Sequence, residues 1–265
     1  MENASPLVLR QNTGAIAHLA LNRPAARNCL SLAMLAALHA EFAAIGKDPG
    51  IRAVILSGEG PAFSAGHDLK ELTLHRGDPD HGKCFFSHTM AQCSALMQAI
   101  IALPQPVIAA VEGLATAAGC QLVATCDLAI AGEAATFCTP GVDIGLFCAT
   151  PMVALSRNVA SKHALAMLLT GERIDAAEAF RIGLVNRSVA AGAALADAMA
   201  LAASIATKPR QTIANGKRAF YAQTGMSLPA AYDHCSALMT QNLLADDAIE
   251  GLGAFLGKRP PQWQE

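Results

Sequence analysis

Apolar positions change their period several times along the chain, and each change marks an element. Residues 7–10 and 15–21 are short strand-like runs separated by Gln11-Asn12-Thr13-Gly14, which predicts a hairpin turning at that tetrapeptide. From Ser31 to Ile45 the apolar residues fall at helical spacing, with Ser31 as the N-cap and Gly46 and Pro49 as stop signals. Residues 51–57 form a compact β-branched run, followed by a loop from Gly58 to Gly66 and a helix that starts at Asp68. The scheme then repeats. A long helix over residues 83–103 is broken by Pro104-Gln105-Pro106 and leads into a strand at 107–111 and a Gly/Ala-rich turn from Gly113 to Gly119. Further strands are predicted at 127–131, 136–138 and 184–189, alternating with helices, and after Ala190 the pattern is helical throughout. Such an order implies an α/β core of mostly parallel strands over residues 1–190 and a helical region over 191–265.

Composition narrows the possibilities by exclusion. With 53% hydrophobic residues in 265, the chain can bury a sizeable core. Its 19 basic and 21 acidic residues are spread along the chain, so no basic stripe predicts a nucleic-acid partner. The longest apolar stretches are interrupted, by Gln98, Pro104, Gln105 and Pro106 in one case and by Asp197 in another, and no membrane span is expected. Residues 1–6 show no targeting pattern, and eight scattered cysteines without a C-x-x-C pair speak against a zinc site or a disulfide framework. A reducing cytoplasm is the expected location.

Both Gly-rich turns follow strands and run into helices, the place where open α/β sheets collect ligands. A helix start offers unpaired N–H groups and partial positive charge, so two such turns facing each other would hold an oxygen that gains negative charge. Asp68 and Glu71 have capping-box spacing, which would aim the N–H of His67 outward. Neither turn has a nucleotide-binding glycine pattern. Ala62 stands where a nucleophile elbow needs its first glycine, so Ser64 is not expected to act as a nucleophile.

Several motifs resemble the crotonase (enoyl-CoA hydratase/isomerase) superfamily: Asn22-Arg23-Pro24 with Asn28, the run Phe63 to Leu69, and the run Pro106 to Gly113 before a small-residue turn. Cys126-Asp127, Leu169 to Glu172, Gly183-Leu184-Val185 and the ending Gly251 to Arg259 fit the same pattern in the same order. Gly66 to Leu72, Gly113 to Leu122 and Thr139 to Val142 are most similar to the enoyl-CoA hydratase domain-containing protein 3 group. The resemblance implies an α/β, crotonase-type spiral of ββα units with a C-terminal helical trimerisation region. It implies a homotrimer or dimer of trimers, and acyl-CoA thioesters as ligands, with coenzyme A part of the substrate and no separate cofactor or metal. By motif position the oxyanion donors are the backbone N–H groups of His67 and Ala118, and Ala65, Gly66, Asp68, Leu69 and Lys70 line the CoA site. Arg27 falls in the CoA-phosphate segment, and Phe255 and Lys258 fall where CoA is met across a subunit boundary.

The departures from that pattern are specific. Gln121 and Gly141 stand where hydratases of the family carry their two catalytic glutamates, and Ala149 stands at a third acid position used by some members. Neither a neutral amide nor a glycine moves protons. Ala117 and Ala118 replace two turn glycines, and Asp143, Cys148 and Thr150 are candidates for a displaced acid or nucleophile. The expected function is an acyl-CoA protein of the hydratase/isomerase class with altered or weak activity. A malonyl-type decarboxylase, for which Gly66-His67-Asp68 and a titratable His67 argue, a hydrolase, and a non-catalytic acyl-CoA binder are the alternatives. If only proton transfer is missing, Gln121→Glu with Gly141→Glu should restore hydration.

Overall fold

The computed structural model describes residues 5–263. Strands β1 (Val8–Thr13) and β2 (Ile16–Leu21) pair antiparallel with Thr13 opposite Ile16, so the hairpin closes on Gly14 and Ala15 and not on the predicted tetrapeptide. Gly14 takes φ +56°, as a tight primed turn requires. Helix α1 (Leu32–Gly46) follows, with the Ser31 hydroxyl accepting the N–H of Met34.

The chain then runs through units that each supply one strand to each of two sheets. In the first unit β3 (Ala53–Gly58) leads to β4 (Ala62–Ser64), then α2 (Leu69–Leu74) and α3 (Lys83–Ala102). The second unit runs β5 (Val107–Val111), β6 (Leu114–Thr116) and α4 (Ala118–Thr125). The third runs β7 (Leu128–Gly132), β8 (Thr136–Cys138), a 3₁₀ turn over Pro140–Ile144, α5 (Ala149–Asn158) and α6 (Ser161–Thr170). Short β9 (Ile174–Asp175), α7 (Ala176–Arg181) and β10 (Arg187–Val189) complete the sheets. One sheet has the order β1-β2-β3-β5-β7-β10 and the other β4-β6-β8-β9. The successive units pair in parallel in both sheets, which is the spiral of ββα units that the resemblance implies.

Strands β4 and β6 lie inside stretches that read as loop and turn. At three residues each they are too short to show a two-residue period. The strand predicted at 184–189 shrinks to Arg187–Val189 for a different reason. Leu184 and Val185 are buried, but both of their N–H groups go to the carbonyl of Ala179 and close α7 instead of joining a ladder.

Burial on both faces explains the continuous apolar runs of the central strands. One face of the larger sheet packs Leu19, Val54, Leu56 and Ala109 with Leu38 and Phe42 of α1 and Leu96 and Ile100 of α3. The other face carries Ile16, Ile55, Ile108 and Ile130 under α8 (Ala194–Ala206), whose Ala194, Ala198 and Ala202 form a small-residue stripe at helical spacing. Helices α9 (Arg210–Gln223), α10 (Leu228–Leu243) and α11 (Asp246–Leu256) follow. Among the described residues no helix is long and apolar enough to cross a membrane.

Helix α9 is tied to the core by a buried ion pair. Lys217 Nζ donates to Asp127 Oδ2 at 2.6 Å and to the carbonyls of Ile100 and Gln105, while Tyr221 donates its hydroxyl to Asp127 Oδ1 at 2.9 Å. Asp127 Oδ2 also accepts the N–H of Val107 at 2.7 Å, so one carboxylate joins β5, the start of β7 and α9. Removing one member of a buried pair leaves the other uncompensated, so Asp127→Ala and Lys217→Ala are each expected to cost about 3–5 kcal/mol. In urea titrations the double variant should cost less than the sum of the singles by about 1 kcal/mol or more, because both break one network. Strict additivity would show that the pair does not couple the two parts.

Candidate functional site

The first turn leaves β4 at Ser64 and passes through Ala65, Gly66 and His67 to Asp68, the N-cap of α2. Gly66 takes φ +79°, and a Cβ placed there would meet the Thr116 carbonyl at 2.9 Å, the Ala117 Cβ at 3.0 Å and the Ala118 N at 3.1 Å. Glycine is therefore required twice, for backbone conformation and for the approach of the second turn. That second turn leaves β6 at Thr116 and enters α4 at Ala118. Among the described residues no protein acceptor takes the N–H of His67 or of Ala118. The sequence thus brings together the two donors it singled out.

A loop from the N-terminal part of the chain clamps the first turn. Asn28, fully buried at φ +52°, accepts the N–H of Arg23 through Oδ1 and donates through Nδ2 to the carbonyls of Glu59 and Ala62. Ser64 donates its hydroxyl to the Asn28 carbonyl, the Ala65 N–H goes to the Arg27 carbonyl, and the Leu30 N–H goes to the Gly66 carbonyl. Arg27 itself is exposed and left-handed at φ +51°. Asp68 Oδ1 caps α2 through the N–H groups of Lys70 and Glu71, while Oδ2 accepts Arg23 at 2.8 Å and the Cys29 thiol at 3.3 Å. Burial alone would raise the Asp68 carboxyl, but the hydrogen bonds from Cys29, Glu71 and Arg23 outweigh it and hold it below the usual range. Burial first, and the neighbouring carboxylate second, push the Cys29 thiol up to about 11.

The capping-box expectation is half right. Asp68 caps as predicted, but Glu71 does not reach back to it; its carboxylate accepts the N–H of Leu32 and caps α1 instead. Sequence spacing identifies a capping pair within one helix and is blind to a second helix start brought alongside. The clamp by Arg23, Asn28 and Cys29 was missed for the same reason, although the residues stand in a recognisable motif.

Ala117 carries the strain of the second turn. Its φ of 51° with ψ of −118° is a conformation that only glycine adopts freely. It is held there by its N–H to the Cys138 carbonyl and its carbonyl to the Gln121 N–H. Gly119 follows because a Cβ would run into the Ser64 carbonyl and Cβ on β4.

Gln121 lies in the first turn of α4, 4% exposed, and its side-chain Oε1 has no partner among the described residues. It lines a cavity of about 870 Å³ together with Thr150. Gly141 is buried at an ordinary φ, and a Cβ there would meet the Leu146 carbonyl at 2.8 Å and the Cys148 Sγ at 2.9 Å. The space in which a glutamate stem would start is closed. The Cys148 thiol, raised by burial, fills it, whereas Asp143 is exposed with a carboxylate oxygen against Gly171, and Ala149 is exposed as well. The His67 ring has both nitrogens buried with no hydrogen-bond partner among the described residues, and burial pushes its pKa below the usual imidazole value, against the opposing influence of the Leu30 backbone and Glu71. Leu69 and Lys70 are exposed beside the first turn, and Phe255 and Lys258 lie on the open surface at the end of α11, with Phe255 80% exposed. Among the described residues no cluster of three or more His, Cys, Asp or Glu side chains could hold a metal.

Residues 11–265 match the enoyl-CoA hydratase/isomerase family model. The mitochondrial enoyl-CoA hydratase domain-containing protein 3 of Mus musculus is 46% identical over 96% of this chain and 83% of its own length. A crystal structure of enoyl-CoA hydratase from Mycobacterium smegmatis superposes with a TM-score of 0.93 at 47% identity, covering 98% of this chain and 99% of that one. The crystal structure of human enoyl-CoA hydratase domain-containing protein 3 gives 0.92 at 44% identity, covering 97% and 100%. With nearly its whole length matched in sequence and in fold, the chain belongs to the crotonase, or enoyl-CoA hydratase/isomerase, family and resembles its domain-containing protein 3 group.

Proposed function

We propose that the protein binds acyl-CoA thioesters and polarises the thioester carbonyl between the backbone N–H groups of His67 and Ala118, without the acid/base pair of an ordinary hydratase. The observation that carries this reading is the contact of the two turns at Gly66, which sets both unpaired donors side by side. Donors fixed in this way need no reorganisation when an oxyanion or enolate develops. Coenzyme A enters as part of the substrate. Ala65, Gly66, Asp68, Leu69 and Lys70 form its channel, Arg27 meets its phosphates, and Phe255 and Lys258 reach a neighbouring subunit's ligand in a trimer or dimer of trimers. The exposed apolar side chains Leu244, Ile249, Leu252, Phe255 and Leu256 support such an assembly by residues 191–265.

Reactions that need carbonyl polarisation but no titrating pair fit the site best. Decarboxylation of a malonyl-type thioester is the second reading, supported by the His67 ring, whose two nitrogens are buried with no partner among the described residues and whose N–H is free to donate a hydrogen bond. A hydrolase and a purely binding, regulatory role draw on the same geometry.

Calorimetry with acetoacetyl-CoA and light scattering should show binding and a trimeric or hexameric mass; no binding at millimolar ligand overturns the reading. Hydration of crotonyl-CoA should fall short of a hydratase with both glutamates by at least roughly 10³, since each acid or base contributes about 10²–10⁴-fold and the effects are not independent.

The closed space at Gly141 corrects the expectation that two substitutions would restore hydration. Gln121→Glu should fold and raise crotonyl-CoA hydration by about 10-fold or more. Gly141→Glu must displace the Leu146 carbonyl and should cost about 1–3 kcal/mol of stability, adding no activity. A well-folded double variant more active than Gln121→Glu would show that the loop opens after all.

Ala117→Gly removes the strain and should raise the unfolding free energy by about 1 kcal/mol. Affinity for acetoacetyl-CoA should drop in the same variant, because the donor at Ala118 becomes less rigid. Chemical denaturation and calorimetry check the pair of effects, and a destabilised variant would mean that the Ala117 methyl is held by packing.

A further inference from the structure

Asp68 follows the donor His67 directly, so its carboxyl carbon lies within about 8 Å of the His67 amide nitrogen in any rotamer. The side chain is 12% exposed, and its hydrogen bonds hold the carboxyl below the usual range, so it carries its charge. An oxygen that gains negative charge against the His67 N–H therefore stands in the field of a carboxylate that water screens poorly. Glu71, whose carboxylate is spent on the Leu32 N–H, adds to that field. Left alone, the turn that offers the donor would repel the charge it is to hold.

Arg23 is the cation that faces both acids. Its Nη1 donates to Asp68 Oδ2 at 2.8 Å and lies 3.4 Å from the Cys29 Sγ, and the charges of Asp68 and Glu71 both act on the guanidinium. Its place is fixed from a buried scaffold. Asn28 accepts the Arg23 N–H through Oδ1 at 2.8 Å and donates its own backbone N–H to the Arg23 carbonyl at 3.0 Å, which holds the Arg23 backbone on both sides. The same loop takes the Ala65 N–H on the Arg27 carbonyl, so guanidinium and donor turn are mounted together. Capping does not require the cation, since Oδ1 of Asp68 accepts the N–H groups of Lys70 and Glu71 and leaves Oδ2 for Arg23. Around the pair, the Cys29 thiol is pushed up to about 11 and stays protonated, burial lowers the His67 ring, and Lys70 is exposed.

We propose that Arg23 is a positioning residue that, by cancelling Asp68, sets how strongly the donor pair of His67 and Ala118 favours an anionic oxygen over a neutral carbonyl. It thereby sets how far a bound thioester is driven toward its enolate. The inference rests on the thioester reading and adds to it a residue that acts through Asp68 and not on the ligand itself.

The test follows the near-ultraviolet band of the acetoacetyl-CoA enolate on the protein as pH is raised, with calorimetry of butyryl-CoA as the control for a neutral thioester. Removing the cation leaves Asp68 uncancelled, so Arg23→Met should move the enolate midpoint up by about one pH unit, an about 10-fold loss of enolate against keto form. Affinity for butyryl-CoA should fall much less. Adding Asp68→Asn to Arg23→Met should bring the midpoint back, because an amide still caps α2 and no charge is left to cancel. Asp68→Asn alone leaves the cation unopposed and should move the midpoint down, and it decides the matter if Arg23→Met does not fold. An unmoved midpoint in either single variant, or equal losses for both ligands with no recovery in the double variant, makes Arg23 a brace of the turn and overturns the proposal while thioester binding stands. Binding of neither ligand to the unaltered protein, or an enolate midpoint equal to that of free acetoacetyl-CoA, overturns the reading of the donor pair and the proposal with it.

Discussion

Between β4 and the first turn of α4 there is no room for a side chain. A Cβ on Gly119 would collide with the Ser64 backbone, and one on Gly66 would press on Thr116, Ala117 and Ala118. Two parallel strands of three residues each make this approach possible, because they pair edge to edge at the point where each chain turns into a helix. The unpaired N–H groups of His67 and Ala118 are brought side by side by that contact. Strain at Ala117 is its local cost, and the buried Asn28 and the Arg23–Asp68 ion pair hold the first turn to the N-terminal loop.

The same closeness limits what else the site can hold. Gly141 is packed against the Leu146 carbonyl and the Cys148 thiol, so the absence of a carboxylate there is accommodated by a loop that has closed over the position. Gln121, by contrast, lines the cavity while its amide oxygen is buried with no partner among the described residues. The two positions are thus physically unlike: at Gly141 the space is filled by neighbours, and at Gln121 a polar side chain is buried beside a cavity.

The cavity also depends on the far end of the chain. Its outer wall is α9, and α9 is fixed by Lys217 and Tyr221 on Asp127. A buried ion pair that adds little net stability still sets where a helix docks, and here it fixes α9 as a wall of the cavity.

The amino-acid sequence by itself determined the order of elements, the β-loop-α repetition and the family, because these rest on local periodicity, on glycine and proline punctuation, and on motifs that stand in line. It also marked the two Gly-rich turns that meet in the fold, since a Gly-rich turn between a strand and a helix is a local feature. What only the tertiary structure decided are relations between segments far apart in the chain. Glu71 caps α1 rather than its own helix, Leu184 and Val185 close α7 rather than a sheet, and β4 and β6 are strands only because neighbours from elsewhere in the chain, β6 for β4 and β4 and β8 for β6, lie beside them. Whether Gly141 could become a glutamate is decided by Leu146 and Cys148, and the surroundings of Gln121 are set by α3, α5 and α9 packed against its own helix. Local spacing states which residues can form an element, but steric room and hydrogen-bond satisfaction belong to neighbours that the fold chooses.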